Sequence, residues 1–139
     1  MKEDELNDRY TGTKFTVIHC KGAIDSYRAA LKKVGARQQK KFTTAIILQI
    51  QRLVDGGRMT KENFPQEGYL PKRKGQHNAK KFNALKRIPI RGYCWLSQWH
   101  KDTYFISHYI YKKRNKLNES DTNRVRTNWS RIEENGDEC

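Results

Sequence analysis

Two helical stripes in quick succession in the first half of the chain limit its fold more than any other feature. Ile24, Tyr27, Leu31 and Val34 recur at intervals of three and four residues, the spacing that gathers side chains on one face of a helix. Asp25 or Ser26 can cap the start of this segment, and Gly35 interrupts it. From Gln38 to Val54 a second stripe follows, made by Phe42, Ile46, Ile50 and Leu53 and widened by Ala45, Ile47 and Leu48. Asp55-Gly56-Gly57 stops it, because glycine takes the left-handed conformation that closes a helix C-terminus. Two stripes joined this closely predict an antiparallel helical hairpin, and its apolar side needs a sheet to cover it.

Strand-like segments flank the hairpin. Lys14–Cys20 is a β-branched and aromatic run that ends at Lys21-Gly22 and reads as a first strand. Three more follow the hairpin: Phe82–Ile88, ended by Pro89; Gly92–Trp99; and Thr103–Tyr111, entered through a short turn at His100-Lys101-Asp102. The segment from Ser120 to Glu134 predicts a closing helix with Val125, Trp129 and Ile132 on one face and Ser120 or Asp121 near its cap. Between these elements, Met1–Thr13 is polar and expected to be loose. Arg58–Lys81 has little periodicity and is punctuated by Pro65, Gly68, Pro71 and Gly75. The expected fold is α+β: an N-terminal strand, a two-helix hairpin, a three-stranded antiparallel meander and a C-terminal helix. Residues 14–134 form one domain, with 1–13 as a flexible extension and 135–139 as a tail. With helices on one face of the sheet, the other face is expected to be free for a ligand.

At 139 residues a chain removes roughly 65–70% of its unfolded surface from water, so it needs no metal or disulfide staple. The cysteines, Cys20, Cys94 and Cys139, are odd in number and widely spaced, which gives neither a disulfide framework nor a zinc motif. Cys20 and Cys94 read as buried thiols. No stretch approaches a membrane span, and the acidic, polar start does not read as a secretory signal. A cytoplasmic protein is expected.

Charge says more about function. The formal balance is +14, from 29 Lys and Arg against 15 Asp and Glu. Eight of those acids stand near the two ends: Glu3, Asp4, Glu5, Asp8, Glu133, Glu134, Asp137 and Glu138. Between Glu67 and Asp102 there is none, while Lys72, Arg73, Lys74, Lys80, Lys81, Lys86, Arg87, Arg91 and Lys101 all fall there. Such a stretch repels itself and favours an anionic partner. Phosphate backbones fit best, since each contact releases condensed counterions. A solvated basic surface or an acidic protein partner would carry the same composition.

The chain has no Gly-rich phosphate loop, no His-Glu-x-x-His, no Cys-x-x-Cys and no nucleophile elbow. The histidines, His19, His77, His100 and His108, are not at metal-ligand spacing, and the meander has almost no carboxylates to hold paired metals. No metal or cofactor is expected. RNA offers chemistry without either, because its 2′-hydroxyl can attack the adjacent phosphate. A protein then has only to position the strand, move protons and stabilise charge. The meander supplies the residue types: Lys86, Arg87, Arg91, Tyr93, His100, Lys101, His108, Tyr109, Tyr111, Lys112, Lys113 and Arg114, with Lys80, Lys81 and Lys116 around them. Cations interleaved with rings also suit the stacking of unpaired bases. Each residue has a plainer reading. His108 shares strand parity with Ile106 and Ile110, as a core histidine would. Tyr109 and Tyr111 could face either way, Trp95 and Trp99 read as packing residues, and Lys112-Lys113-Arg114 could be a solvated strand end.

The last strand carries a resemblance. Ile106-Ser107-His108-Tyr109-Ile110-Tyr111-Lys112-Lys113-Arg114-Asn115-Lys116, leading into a polar helix, resembles the Leu-His-Gly-Phe-x-Lys-Lys-x-x-Lys segment of HigB-like members of the RelE toxin superfamily. The order of elements matches that family, and Leu85-Lys86-Arg87-Ile88 resembles the strand that bears an active-face arginine. The middle strand departs from the family's tyrosine-arginine pair and reads Tyr93-Cys94, with Arg91 as the nearby arginine. The resemblance implies an mRNA endonuclease, often ribosome-associated, held in check by an antitoxin protein. It implies catalytic roles for Arg87, His108, Tyr111, Lys112 and Lys113; on residue type alone, His100 in the turn is a further candidate for proton transfer. RNA contacts are expected from Lys80, Lys81, Lys86, Arg91, Tyr93, Lys101, Tyr109, Arg114 and Lys116. The alternatives are a non-catalytic RNA- or ribosome-binding module and a basic interaction protein for an acidic partner.

Overall fold

The computed structural model describes residues 5–72, 77–112 and 117–136. In chain order its elements are β1 (Arg9–Thr11), β2 (Thr16–His19), α1 (Ala23–Leu31), α2 (Ala36–Val54), β3 (Gln66–Tyr69), β4 (Lys81–Arg87), β5 (Ile90–Leu96), β6 (Thr103–Tyr111) and α3 (Glu119–Trp129), which runs on into a π-helical turn, Ser130–Glu134. The strands form one six-stranded sheet in the order β1-β2-β6-β5-β4-β3. Among the described residues only β2 and β6 run parallel; β4, β5 and β6 are the expected antiparallel meander.

The helical hairpin packs as its stripes require. Tyr27 and Ala30 of α1 and Ile46, Ile50, Leu53 and Val54 of α2 are buried against Val17, Leu85, Ile90, Cys94, Ile106 and Tyr109 of the sheet. A Cβ on Gly92 would lie 2.5 Å from the Tyr109 ring, so the absence of a side chain at this position is what lets that ring lie across β5.

Two expectations are corrected. The sheet has two further edge strands, β1 and β3, in segments expected to be loose or aperiodic. Each is short and mostly polar, so neither shows the alternation that marks a longer strand. The second face of the sheet is not left bare either. Val125 and Trp129 of α3 and Ile132 of the π turn pack on Phe82, Ala84, Tyr93, Trp95 and Phe105. The helix begins at Asn118, whose side-chain oxygen accepts the Ser120 N–H at 3.0 Å. It is locked at its far end by Glu133, which accepts from Trp95 Nε1 (3.3 Å), Ser97 Oγ (2.8 Å) and the Gln98 N–H (2.9 Å).

A register shift lies between β5 and β6. Tyr93 faces His108 while Cys94 faces Ile106, leaving Ser107 as an extra residue on β6. Such a bulge reverses the alternation beyond it. Ile106 and Tyr109 therefore lie in the same core, and His108 turns to the side covered by α3.

Candidate functional site

The face under α3 changes character along its length. Near the middle it is aromatic. Towards the β4–β5 turn it carries Lys86 on β4, Arg91 directly opposite on β5, and Ile110 opposite Arg91 on β6. Lys112 follows β6, with its N–H donating to the Pro89 carbonyl at 2.6 Å. Glu67, on β3, acts on this group electrostatically. Three cations and one carboxylate from four neighbouring strands are thus electrostatically coupled.

The electrostatics of the cluster are coupled. Burial raises the Glu67 carboxyl above its ordinary value, against the pull of Arg91, Lys86 and Lys112. Burial lowers the Lys112 ammonium and Arg91 pushes the same way, while Asp121 and Glu67 oppose. Lys112 Nζ is enclosed and has no hydrogen-bond partner among the described residues. Arg91 is only 1% exposed, whereas Lys86 and Glu67 are half-buried. The Tyr93 phenol is pushed up to about 12, first by burial and then by Asp121 and Glu67. It stays protonated and can only donate or accept a hydrogen bond. The Glu67 carboxyl thus holds its proton more tightly than usual, and the Lys112 ammonium holds its proton less tightly.

His108 sits next to this cluster but is closed off. It is 0% exposed, with Nδ1 2.7 Å from Ser107 Oγ and Nε2 3.0 Å from Asp121 Oδ1. Asn128 Nδ2 donates to Ser107 Oγ at 2.8 Å. With Asp121 accepting, Nε2 carries the proton, Nδ1 accepts from Ser107, and the chain Asn128–Ser107–His108–Asp121 is satisfied throughout. Burial lowers the His108 pKa despite Asp121, so the imidazole is neutral. The Ser-His-Asp composition suggests a hydrolase triad, but Ser107 is 0% exposed, and a nucleophile must reach its substrate. The network ties β6 to α3.

Other residues singled out by sequence lie elsewhere. Arg87 is exposed at the end of β4 and shares a shallow cleft with Lys86, Ile88 and Gln49. Tyr109 belongs to the core under α1, where its hydroxyl meets His19 Nε2 at 2.8 Å. Tyr111 packs on the same side, with Lys33 Nζ 5.8 Å from its ring centre. His100 and Lys101 occupy the turn beyond the far end of β5, whose last residue, Leu96, lies roughly 16 Å from Arg91 at ~3.3 Å per residue of strand. Lys80 precedes β4, and Lys81 begins it, its Nζ 5.0 Å from the Tyr69 ring. Lys113, Arg114 and Lys116 lie outside the described residues. The structure thus brings together Lys86, Arg91, Tyr93 and Lys112, with His108 behind them; it separates Tyr109, Tyr111, His100, Lys101, Lys80 and Lys81 from them.

Glu67 was not among the residues the sequence pointed to. Its one signal was position, as the acid bordering the acid-free stretch. Among the described residues no group of three or more His, Cys, Asp or Glu could hold a metal ion, and no helix is long and apolar enough to cross a membrane. No protein-family model, curated protein or solved structure matches the chain.

Proposed function

We propose that the chain is a metal-independent endoribonuclease of the RelE/HigB-like kind, acting on mRNA, in association with the ribosome, and neutralised by an antitoxin protein. The observation that carries the reading is the electrostatic coupling of Glu67 to Lys86, Arg91 and Lys112, which come from neighbouring strands of one sheet. The order of β2, two helices, antiparallel meander and closing helix supports it, with β1 and β3 added at the sheet edges.

In this reading Lys86 contacts the scissile phosphate, and Arg91 and Lys112 set a positive potential behind it. Glu67 takes the proton of the 2′-hydroxyl. The 2′-oxygen attacks phosphorus, the bond to the 5′-oxygen breaks, and that oxygen takes its proton from water. The products are a 2′,3′-cyclic phosphate and a 5′-hydroxyl, so atoms and charge balance. Electrostatic stabilisation of the phosphorane is the largest contribution such a site makes, and each proton transfer adds about 10²–10⁴-fold.

The test is primer extension on mRNA from a translating extract containing EDTA. Wild type is expected to cut. Glu67→Gln should lose about 10²–10⁴-fold in rate and Lys112→Ala about 10²–10³-fold through lost charge stabilisation, and the acid limb of the rate profile should disappear with Glu67→Gln. Its midpoint in wild type lies above that of an ordinary carboxylate, as the raised Glu67 pKa requires. Intact mRNA bound in a salt-sensitive manner would replace the reading with a non-catalytic RNA-binding module.

A further inference from the structure

The β5–β6 turn carries an aromatic ring with no packing role. Trp99 is 68% exposed, whereas Trp95 and Trp129, at 0% and 2%, belong to the core. The turn that presents it is fixed. Ser97 Oγ accepts the N–H groups of Trp99 (3.2 Å) and His100 (2.9 Å) and donates to Glu133 Oε2 at 2.8 Å. The Ser97 N–H bonds the Thr103 carbonyl at 2.7 Å, and Thr103 Oγ1 donates to the Lys101 carbonyl at 2.9 Å. Asp102 completes the reversal with φ of 50°. A large ring is therefore held out to solvent by a turn that has little conformational freedom left to lose on binding.

The surroundings of Trp99 are cationic. Lys101 is exposed in the same turn. His100 is exposed too, its ring set edge-on to Phe105 at 5.3 Å. His100 and Phe105 line a cleft of about 1080 Å³ that Arg9, Lys21 and Arg28 also line. Asp25 also lines it and is paired with Arg28 at 3.3 Å; Asp8 is the remaining acid.

We propose that Trp99 is a stacking platform for an unpaired base of single-stranded RNA, whose backbone then passes Lys101 and His100 into the cleft lined by Arg9 and Lys21. A ring beside cations on a chain of formal charge +14 complements a polyanion with flat apolar bases. Base–aromatic stacking is sequence-tolerant, because every base offers a π face. The platform stands at the opposite end of β5 and β6 from Arg91 and Lys112, so it holds the strand at a distance from those cations. The choice of RNA as ligand rests on the function proposed above, but the site itself is separate.

The buried state of Trp95 and Trp129 makes the test direct, since acrylamide-quenchable emission comes from Trp99. Titration with a short single-stranded RNA, 2′-O-methylated throughout so that it cannot be cut, should quench this emission and protect it from acrylamide. Trp99→Ala should weaken binding about tenfold or more, and Trp99→Phe should restore most of it. A duplex of the same sequence should leave the emission unchanged. RNA bound with Trp99 still fully quenchable, or bound equally by Trp99→Ala, overturns this site and leaves the cleavage reading standing. RNA bound at Trp99 but never cut in its unmodified form overturns the cleavage reading and leaves this site standing. Failure to bind RNA at low salt overturns both.

Discussion

A single missing side chain decides how the centre of the sheet packs. Gly92 faces Tyr109 across β5 and β6, and the Tyr109 ring is confined by His19 at 5.6 Å and Tyr27 at 5.0 Å between ring centres. A methyl group 2.5 Å from Tyr109 Cε1 meets a ring with no room to turn aside. Gly92→Ala is therefore expected to cost about 1–3 kcal/mol, as overpacking of a dense core does. Urea unfolding should show a lower midpoint at unchanged slope, the mark of lost stability rather than altered compactness. An unchanged midpoint would mean that Tyr109 repacks freely. The same scale shows what a sequence leaves hidden. Lys86, Arg91 and Lys112 could be picked out as cations, but Glu67 could not be joined to them, because it comes from a short strand with no apolar alternation. His108 shares parity with Ile106 in the sequence, yet the bulge at Ser107 puts the two on opposite faces, and no periodicity marks a bulge in advance.

At the scale of elements, legibility followed the length of the buried stripe. Helix α2 and strand β6 are where the spacing of Phe42 to Leu53 and the run Thr103–Tyr111 place them, since each buries a long regular pattern. Strands β1 and β3 pair only at the sheet edges and carry three and four residues. The position of α3 was the largest departure. Val125, Trp129 and Ile132 marked an apolar face, but a stripe does not say which surface it will cover. Glu133 sets that choice, because its buried carboxylate serves three donors from β5 and the following turn. Glu133→Ala would leave the Trp95 indole, the Ser97 hydroxyl and the Gln98 amide without this acceptor. The expected cost is about 3 kcal/mol, given about 1.5–3 kcal/mol for a hydrogen bond to a charged group and the added penalty of leaving buried donors unmet. Hydrogen exchange reports the location: the Gln98 amide should lose protection before the amides of α2 do. Equal loss across the molecule would show that α3 and the β5–β6 turn do not form a separable unit.

Across the whole molecule, two buried neutral histidines link the halves of the fold and make its stability depend on pH. His19 of β2 donates from Nδ1 to the Asn7 carbonyl at 2.8 Å and accepts the Tyr109 hydroxyl on Nε2 at 2.8 Å, joining the N-terminal segment to β6. His108 joins β6 to α3 through Asp121. Burial lowers His19 from 6.5 to about 4 and lowers His108 in the same direction. A histidine whose folded value is depressed binds its proton more readily in the unfolded chain. Protonation therefore favours unfolding throughout the interval between the two values. Stability from His19 is full above about pH 6.5 and is lost as pH falls towards 4. At about 1.36 kcal/mol per pH unit, the loss from this residue approaches about 3 kcal/mol. Thermal unfolding from pH 7 to pH 4.5 should show a steadily falling midpoint. The fall should be shallower in His19→Gln, which keeps a polar group at the site and cannot titrate there. A midpoint flat over that range in wild type would mean that His19 is solvated in the folded protein. The tie between Asn7 and Tyr109 would then be too weak to hold the N-terminal segment on the sheet.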